Sequence, residues 1–382
     1  MRPIPSSASC APLSGEARAY GMSVDSGIRI ALADAELGAR LPPGFRTVDA
    51  DSGSGAATAV AELERLIREN DVRLVVGGVT TDEALALIPA LETARIVCLS
   101  PSASASELSH SSPYFFRLFP TDGLEGRAAA RALSEQLGVR RLLIYSDGSG
   151  YTRGLESRFR RQFQRALGRD IVGTVHVGEA DWRERSSDLL HAHHPQGVLI
   201  IGYAERVLEV LEHLRSVRFR GVRCTTSAFY VSDVLRRAGE LAEGVVFTLP
   251  AYDAASSHEP PRGFVERYRQ RFGHEPDIFA AHGYDAMCIA IHSLTAAAGL
   301  YTPEIQKAMR YTLREFPGVT GAISFDEHGD VNHYPLIYCS MNGRVVSLAS
   351  VQSLRLKEAQ DLIERLQRPR INPGSQGVSL AS

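Results

Sequence analysis

The chain has 382 residues, 44% of them hydrophobic and 23% charged, which predicts two packed domains and excludes a small disulfide-stapled fold or a largely disordered protein. Its 42 basic and 44 acidic residues give a net charge of −2, so no basic field favours nucleic acid as a partner. No apolar run reaches the ~18 residues of a membrane span, so no integral membrane segment is expected.

Short aliphatic or β-branched segments alternate with longer amphipathic ones along most of the chain. This alternation predicts an α/β fold with parallel sheets flanked by helices. The predicted strands are Phe45–Asp49, Val72–Gly77, Ile96–Leu99, Arg141–Ser146, Ile171–Val177, Gly197–Gly202, Gly221–Thr225 and Gly244–Thr248. The predicted helices are Ser23–Glu36, Ala56–Glu69, Asp82–Glu92, Leu124–Leu137, Gly154–Leu167, Glu205–Val217 and Pro261–Phe272.

The pattern changes near residue 280, where two helices and then three alternating segments are predicted. Asn342-Gly343 lies between the last two segments and is a strong signal for a hairpin turn. An amphipathic helix over 351–367 and a disordered tail over 368–382 are expected to follow. The predicted helices are Ile278–Ala298 and Pro303–Leu313, and the alternating segments are Gly321–Phe325, Tyr334–Ser340 and Arg344–Ser350.

A glycine-rich stretch, Gly148–Gly154, follows a predicted strand, where a dinucleotide-binding loop would lie. Its G-x-G-x-x-x-G spacing has one residue more than the usual fingerprint, so an oxidoreductase using a nicotinamide or flavin remains the weaker interpretation. We expect no cofactor.

We also expect no metal site. The histidines of the Leu-His-Ala-His-His segment at 190–194 have no carboxylate or thiolate at helical spacing and are interpreted as a solvated helix end. The five cysteines form no C-x-x-C pair.

Small hydroxyl residues follow two consecutive predicted strands, at the points where helices begin. The first loop runs through Thr80 and Thr81, and the second through Ser102 and Ser104. Such residues commonly cap helices, but two such loops at one sheet edge could also hold a carboxylate on hydroxyls and helix N-termini. The sequence therefore favours a small polar ligand over a catalytic centre.

At these loops the chain resembles the leucine/isoleucine/valine-type solute-binding proteins of ABC transporters, which have the type I periplasmic binding fold. Six segments match in the order that the family has them. They are Ala11–Gly21, Gly77–Glu83, Ser100–Leu108, Pro113–Arg117, Gly283–Ala286 and Gly318–Asp330.

The resemblance implies a two-lobe clamshell with three crossovers that closes around a ligand without changing it chemically. Lobe one would comprise residues 1–120 and 251–325, and lobe two residues 121–250 and 326–350. The partner would be an ABC transporter permease, and the location periplasmic or extracellular. The implied ligand-binding residues are Tyr20, Thr80, Thr81, Ser102, Ala103 and Ser104 from lobe one, and Tyr151, Tyr203 and Ser227 from lobe two.

One departure from the family concerns the ligand's charge. The acid that binds an α-ammonium in the family would fall at about Ser227, where no acid stands. A buried ammonium without a counter-charge is costly, so the ligand either lacks one or finds its partner elsewhere, for instance at Glu205 or Asp285. Ser227→Glu is then expected to improve binding of aliphatic amino acids.

A second departure lies at the N-terminus. Residues Pro3–Ala11 are mostly Ser, Ala and Pro where the family has a hydrophobic first strand, and no export signal is visible. We expect an upstream reading frame that supplies both, with a cytosolic, amide-sensor-like protein of the same fold as the alternative. A DNA-binding repressor is not expected, because too few residues precede the first matching segment for a helix-turn-helix.

Overall fold

The computed structural model describes residues 6–53, 55–297 and 301–353. Strands and helices alternate through most of this length. The strands are β1 Ser6–Ala11, β2 Arg46–Asp51, β3 Leu74–Gly77, β4 Val97–Ser100, β5 Phe115–Arg117, β6 Arg141–Ser146, β7 Asp170–His176, β8 Gly197–Ile201, β9 Val222–Thr225, β10 Val246–Leu249, β11 Phe316–Gly318, β12 Gly321–Ile323, β13 Leu336–Met341 and β14 Arg344–Ser347. The helices are α1 Arg18–Leu37, α2 Ala56–Asn70, α3 Thr81–Ala94, α4 Asp122–Arg131, α5 Gly150–Arg160, α6 Trp182–His193, α7 Ala204–Ser216, α8 Ser232–Ala238, α9 Pro261–Phe272, α10 Ile278–Ala296 and α11 Thr302–Lys307.

The first sheet has the strand order β2-β1-β3-β4-β5, and every pair in it is parallel. Helices α1 and α10 pack against each other, and α10 also contacts β3 and β4. Helices α2 and α3 pack together, with α2 against β1 and β2 and α3 against β4. We call this sheet and its helices the first lobe.

The second sheet has the order β14-β13-β10-β9-β8-β6-β7 and forms the second lobe. Its strands from β10 to β7 pair in parallel, whereas β13 and β14 are added antiparallel. The predicted hairpin is confirmed, since Asn342 at φ 51° and Gly343 at φ 70° join these two strands. Two positive φ angles in a two-residue turn match the twist of paired strands. The predicted α/β class with two lobes is therefore confirmed.

The first of the three predicted C-terminal segments is not part of that hairpin sheet. Strand β12 instead pairs antiparallel with β11 in a separate two-stranded sheet. The alternation in Gly321–Phe325 reflects two buried residues, Ile323 and Phe325, on either side of half-buried Ser324. So short a pattern does not specify the partner strand.

The expectation of a missing first strand was wrong. Strand β1 is present, and it lies at the centre of the first sheet with all six of its residues buried. The sequence pattern did not indicate this strand, because its side chains are small and do not form the aliphatic run expected of a buried strand. A Cβ added to Gly77 of the neighbouring strand would lie 2.7 Å from the carbonyl oxygen of Cys10, so the backbones here are closely packed.

Sequence patterns also missed the short strands β5 and β11 and the short helix α8, which have too few residues to show a period. Helix α1 begins five residues before its predicted start, at Arg18. At the other end a helix begins at residue 348, earlier than the predicted 351. The rest of that predicted helix and the predicted tail lie outside the described residues.

Candidate functional site

A small cavity lies between the carboxyl ends of the two sheets, with a volume of about 30 Å³. Both lobes contribute to its wall, through loops that follow strands and open helices. Eight of the nine residues predicted as ligand-binding line it. The lining residues are Tyr20, Val79, Thr80, Thr81, Ser102, Ser104, Phe119, Tyr151, Tyr203, Ser227, Ala228 and Phe279.

The loop after β3 is fixed by a capping box at the start of α3. The Thr80 hydroxyl accepts a hydrogen bond from the Glu83 backbone N–H, and the Glu83 carboxylate accepts one from the Thr80 N–H. Ser52 donates to the same carboxylate at 2.6 Å, which holds this buried acid in place. The sequence allowed two interpretations of this loop, a helix cap or a ligand-binding wall. Thr80 caps the helix and also lines the cavity.

The loop after β4 is bound to the loop after β3 by two serines. Ser100 donates to the Gly78 carbonyl at 2.7 Å, and Ser102 donates to the Val79 carbonyl at 2.6 Å. Ala103 does not line the cavity, and its N–H donates to the Ser100 hydroxyl at 3.1 Å. Within the described residues, the hydroxyls of Thr81 and Ser104 make no hydrogen bond and remain available to a ligand.

Tyr20 of the first lobe bridges the cavity to the second lobe. Its hydroxyl donates to the Ala228 carbonyl at 2.8 Å and accepts from the Ala204 N–H at 2.7 Å. Its ring meets Phe279 at a centroid distance of 4.9 Å. Burial raises the pKa of Tyr20 well above its usual value, so the hydroxyl stays neutral and can donate.

Two tyrosines of the second lobe complete the aromatic wall. The Tyr151 hydroxyl donates to the Thr226 hydroxyl at 2.8 Å. The ring of Tyr203 lies 5.4 Å from that of Tyr20 and 5.8 Å from that of Tyr151. Together with Phe119 and Phe279 these rings form a largely apolar wall suited to the body of a small ligand.

Three helices begin at the cavity. Thr81 is the first residue of α3, Tyr151 the second residue of α5, and Tyr203 directly precedes α7. The N-terminus of a helix carries partial positive charge and N–H groups without partners inside the helix. The electrostatics of the site therefore favour a negatively charged group.

No charged side chain of the described residues lines the cavity. The nearest acid to Ser227 is Glu125, which is fully buried and accepts hydrogen bonds from the Ser227 N–H at 2.8 Å and the Thr248 hydroxyl at 2.5 Å. Burial raises the pKa of Glu125, and its hydrogen bonds oppose that shift. Glu125 was not anticipated from the sequence, since nothing in its helical pattern distinguishes it.

The two acids proposed from the sequence as alternative partners for an ammonium lie elsewhere. Glu205 is exposed and forms an ion pair with Arg237. Asp285 is buried and accepts hydrogen bonds from the N–H groups of Val319 and Thr320, at 2.8 and 2.9 Å. Neither lines the cavity. Asp285 holds the loop before β12, and burial raises its pKa to about 6.

The remaining sequence candidates have structural explanations. His191 and His193 lie exposed in the last turn of α6, and the described residues contain no cluster of His, Cys, Asp or Glu fit to hold a metal ion. In the glycine-rich stretch, Gly148 has a φ of 76°, which favours glycine, while Gly150 and Gly154 lie in α5. None of the described helices is both long enough and apolar enough to cross a bilayer.

One buried histidine beside the cavity predicts a pH effect on stability. His282 is fully buried next to Phe119, its Nδ1 lies 2.8 Å from the Ile278 carbonyl, and burial lowers its pKa to about 3. A histidine whose pKa is lower in the folded protein than in the unfolded chain, where it is ~6.5, lets the fold keep its full stability above that pH. As the pH falls below ~6.5, the unfolded chain binds a proton that the folded protein does not, and the fold loses stability. Between pH 7 and 5 we expect a loss of about 2 kcal/mol in the free energy of unfolding from this group.

Urea unfolding across this pH range tests the effect. His282→Gln should show a correspondingly flatter pH dependence than wild type, whereas the exposed His193→Gln should follow wild type. Asp285, whose raised pKa acts in the opposite sense between pH 4 and 6, is present in all three proteins and cancels in the comparison. Parallel curves for wild type and His282→Gln would show that His282 does not titrate in this way.

The family model of the periplasmic binding proteins matches residues 8–338. The structure is similar to the leucine binding protein LivK of Thermotoga maritima, with 24% identity, a TM-score of 0.83, and coverage of 90% of this chain and 97% of that one. It is also similar to the branched-chain amino acid transporter substrate binding protein LivJ of Streptococcus pneumoniae in complex with isoleucine, with 22% identity, a TM-score of 0.82, and coverage of 90% and 98%.

A solute binding protein of an ABC transporter from R. palustris, in complex with benzoate, has 18% identity and a TM-score of 0.80, with coverage of 91% of this chain and 96% of that one. These likenesses concern the whole two-lobe architecture, and the resemblance stated from the sequence is confirmed at the level of family and fold. With most of its length matched by one family model, this chain belongs to the periplasmic binding protein family.

Proposed function

We propose that the protein reversibly captures a small organic carboxylate, without chemical change, in the cleft between its lobes. The observation that carries this proposal is the combination of three helix N-termini, two available hydroxyls and a cavity wall without a charged side chain. The hydroxyls of Thr81 and Ser104 and the helix N-termini would hold the carboxylate, and the five aromatic rings would surround the rest of the ligand.

We further propose that the ligand lacks an α-ammonium group. The isoleucine and benzoate of the similar structures both carry a carboxylate, but only isoleucine carries an ammonium. Here Ser227 stands in the cavity wall where the family's acid would fall, and Glu125, the acid behind it, does not line the cavity. Its Oε1 accepts both hydrogen bonds, and its Oε2 is buried without a partner among the described residues. An ammonium placed beside Ser227 would face hydroxyls and a carbonyl rather than a carboxylate, at a cost in desolvation.

The division into lobes and the biological setting are part of the same proposal. Residues 1–120 and 251–325 would move as one lobe and 121–250 with 326–350 as the other. The protein would act in the periplasm or outside the cell and deliver its ligand to an ABC transporter permease through the rims of the cleft. It would have no catalytic activity, since its part in transport is binding and release.

Calorimetric titration with leucine, isoleucine and benzoate tests the proposal. We expect benzoate or another carboxylate without an ammonium to bind, and Thr81→Val and Ser104→Ala each to weaken that binding about tenfold by removing a hydrogen bond to a charged group. Ser187→Ala changes a half-buried serine on α6 that does not line the cavity, so this matched control should bind as wild type does.

Mass spectrometry of the ligand retained after native purification provides an independent check. Leucine or isoleucine in that sample would contradict the absence of an ammonium. Binding of nicotinamide or flavin cofactors, with no response to any carboxylate, would contradict the proposed function as a whole and favour an oxidoreductase.

A further inference from the structure

Gly150, at the first position of α5, has no conformational reason to be glycine. Its φ is not in the left-handed region, and alanine is the better helix former by about 1 kcal/mol or less in such positions. The reason for a glycine here must therefore be space.

The space is occupied by an acid from the other lobe. A Cβ added to Gly150 would lie 2.1 Å from Oδ1 of Asp82, which is the second residue of α3 in the first lobe. Such a separation is far below any real contact, so the Asp82 carboxylate lies directly against the α-carbon of Gly150. A negative charge at this end of α5 is favourable, because the helix N-terminus is positive.

This contact lies at the rim of the cavity. Asp82 follows Thr81, and Gly150 precedes Tyr151, so the two residues that touch are the chain neighbours of two cavity-lining residues. Burial and then the charge of Asp82 raise the pKa of Tyr203, which places the same carboxylate near a third lining residue. The approach of Gly150 to Asp82 is therefore coupled to the approach of both tyrosines to the first lobe.

We propose that Asp82 and Gly150 form a closing contact between the lobes, in which the missing side chain at position 150 lets the carboxylate of Asp82 reach the N-terminus of α5. This assigns the glycine-rich stretch a role in closure. Asp82 also occupies the end of α5 where a dinucleotide pyrophosphate would have to lie. The inference goes beyond the proposed function, because it holds whichever ligand the cleft takes.

The Ala204 amide reports closure directly. It donates to the hydroxyl of Tyr20 across the cleft, and it opens α7, so it has no acceptor within its own helix. When the lobes separate, this hydrogen bond breaks and the amide exchanges with solvent. The Leu143 amide, within the buried strand β6, reports instead on the integrity of the second lobe.

Hydrogen exchange of the purified full-length protein, with no ligand added, is the test. We expect Gly150→Ala to speed exchange at Ala204 about two- to fivefold through loss of the charge–helix contact, with exchange at Leu143 unchanged. Asp82→Ala should have a similar effect, and the double variant should be no faster than either single variant, because both remove one contact. Gly178→Ala, whose Cβ would meet nothing within 4 Å, should leave Ala204 as in wild type.

Unchanged exchange at Ala204 in Gly150→Ala would overturn the proposal. The proposal would also be overturned if the increases in the Ala204 exchange rate caused by the two substitutions multiplied in the double variant. Two substitutions that remove the same contact cannot act independently. No ligand is added in this experiment, so it does not depend on the calorimetric titrations. The closing contact can be disproved while the proposed function holds, and the proposed function can be disproved while the closing contact holds.

Discussion

Asp330→Ala should lower the free energy of unfolding by about 3–5 kcal/mol, the usual cost of leaving one partner of a buried ion pair alone. Arg117, on strand β5, is completely buried and pairs with Asp330 through its Nε at 2.7 Å. The same guanidinium donates to the Ala105 carbonyl at 2.5 Å and to the Ser109 hydroxyl at 2.7 Å. Among the described residues Asp330 is the one carboxylate that forms an ion pair with Arg117, so its loss leaves the desolvation of the guanidinium without that compensation.

Urea unfolding measures this effect, and two controls interpret it. Glu209→Ala removes the acid of the half-exposed pair with Arg206 and should cost less than about 1 kcal/mol. The double variant Arg117→Met/Asp330→Leu replaces both charges with apolar groups and should recover much of the loss. If Asp330→Ala costs no more than Glu209→Ala, the pair does not stabilise the fold.

Ser227→Glu alone should fail to create an amino-acid site, whereas Ser227→Glu with Glu125→Gln should raise the affinity for leucine about 10- to 100-fold. Glu125 already lies against Ser227, so a second carboxylate there would be a buried like-charge neighbour, and one of the two would stay protonated. Removing the charge at 125 frees the new carboxylate to meet the ammonium of leucine. This replaces the expectation from the sequence that Ser227→Glu by itself would improve binding of aliphatic amino acids, because the sequence did not reveal Glu125.

Calorimetric titration with leucine measures this change, and Ser227→Gln with Glu125→Gln is its neutral counterpart of equal size. If that neutral variant binds leucine as tightly as the Glu variant, the gain arises from shape and the missing charge does not determine the ligand.

The order of strands and helices could be predicted from the sequence because most strands here are buried on both faces and appear as short aliphatic runs between amphipathic helices. Strand β1 could not, since Ser, Ala and Cys fill the centre of the sheet by being small rather than by being apolar. Strand β12 could not be placed because its partner, β11, contains a proline and spans three residues.

The cavity was predictable where loop chemistry marked it and unpredictable where the fold alone brings residues there. Thr80, Thr81, Ser102 and Ser104 stand at strand ends with the signature of helix starts. Phe279 instead arrives from α10, far along the chain, and Ala228 from a short turn after β9. Such residues have no local feature that separates them from ordinary core residues.

The central position of β1 also affects the order in which the first lobe can fold during synthesis. Strand β2 pairs with β1, and β1 joins it to the rest of the sheet through β3. Strand β1 is made before both of its partners, so its second edge is covered only once residues 74–77 have been made. Until then a strand of small side chains has little apolar surface to hold it in place, so contacts distant in sequence complete this sheet.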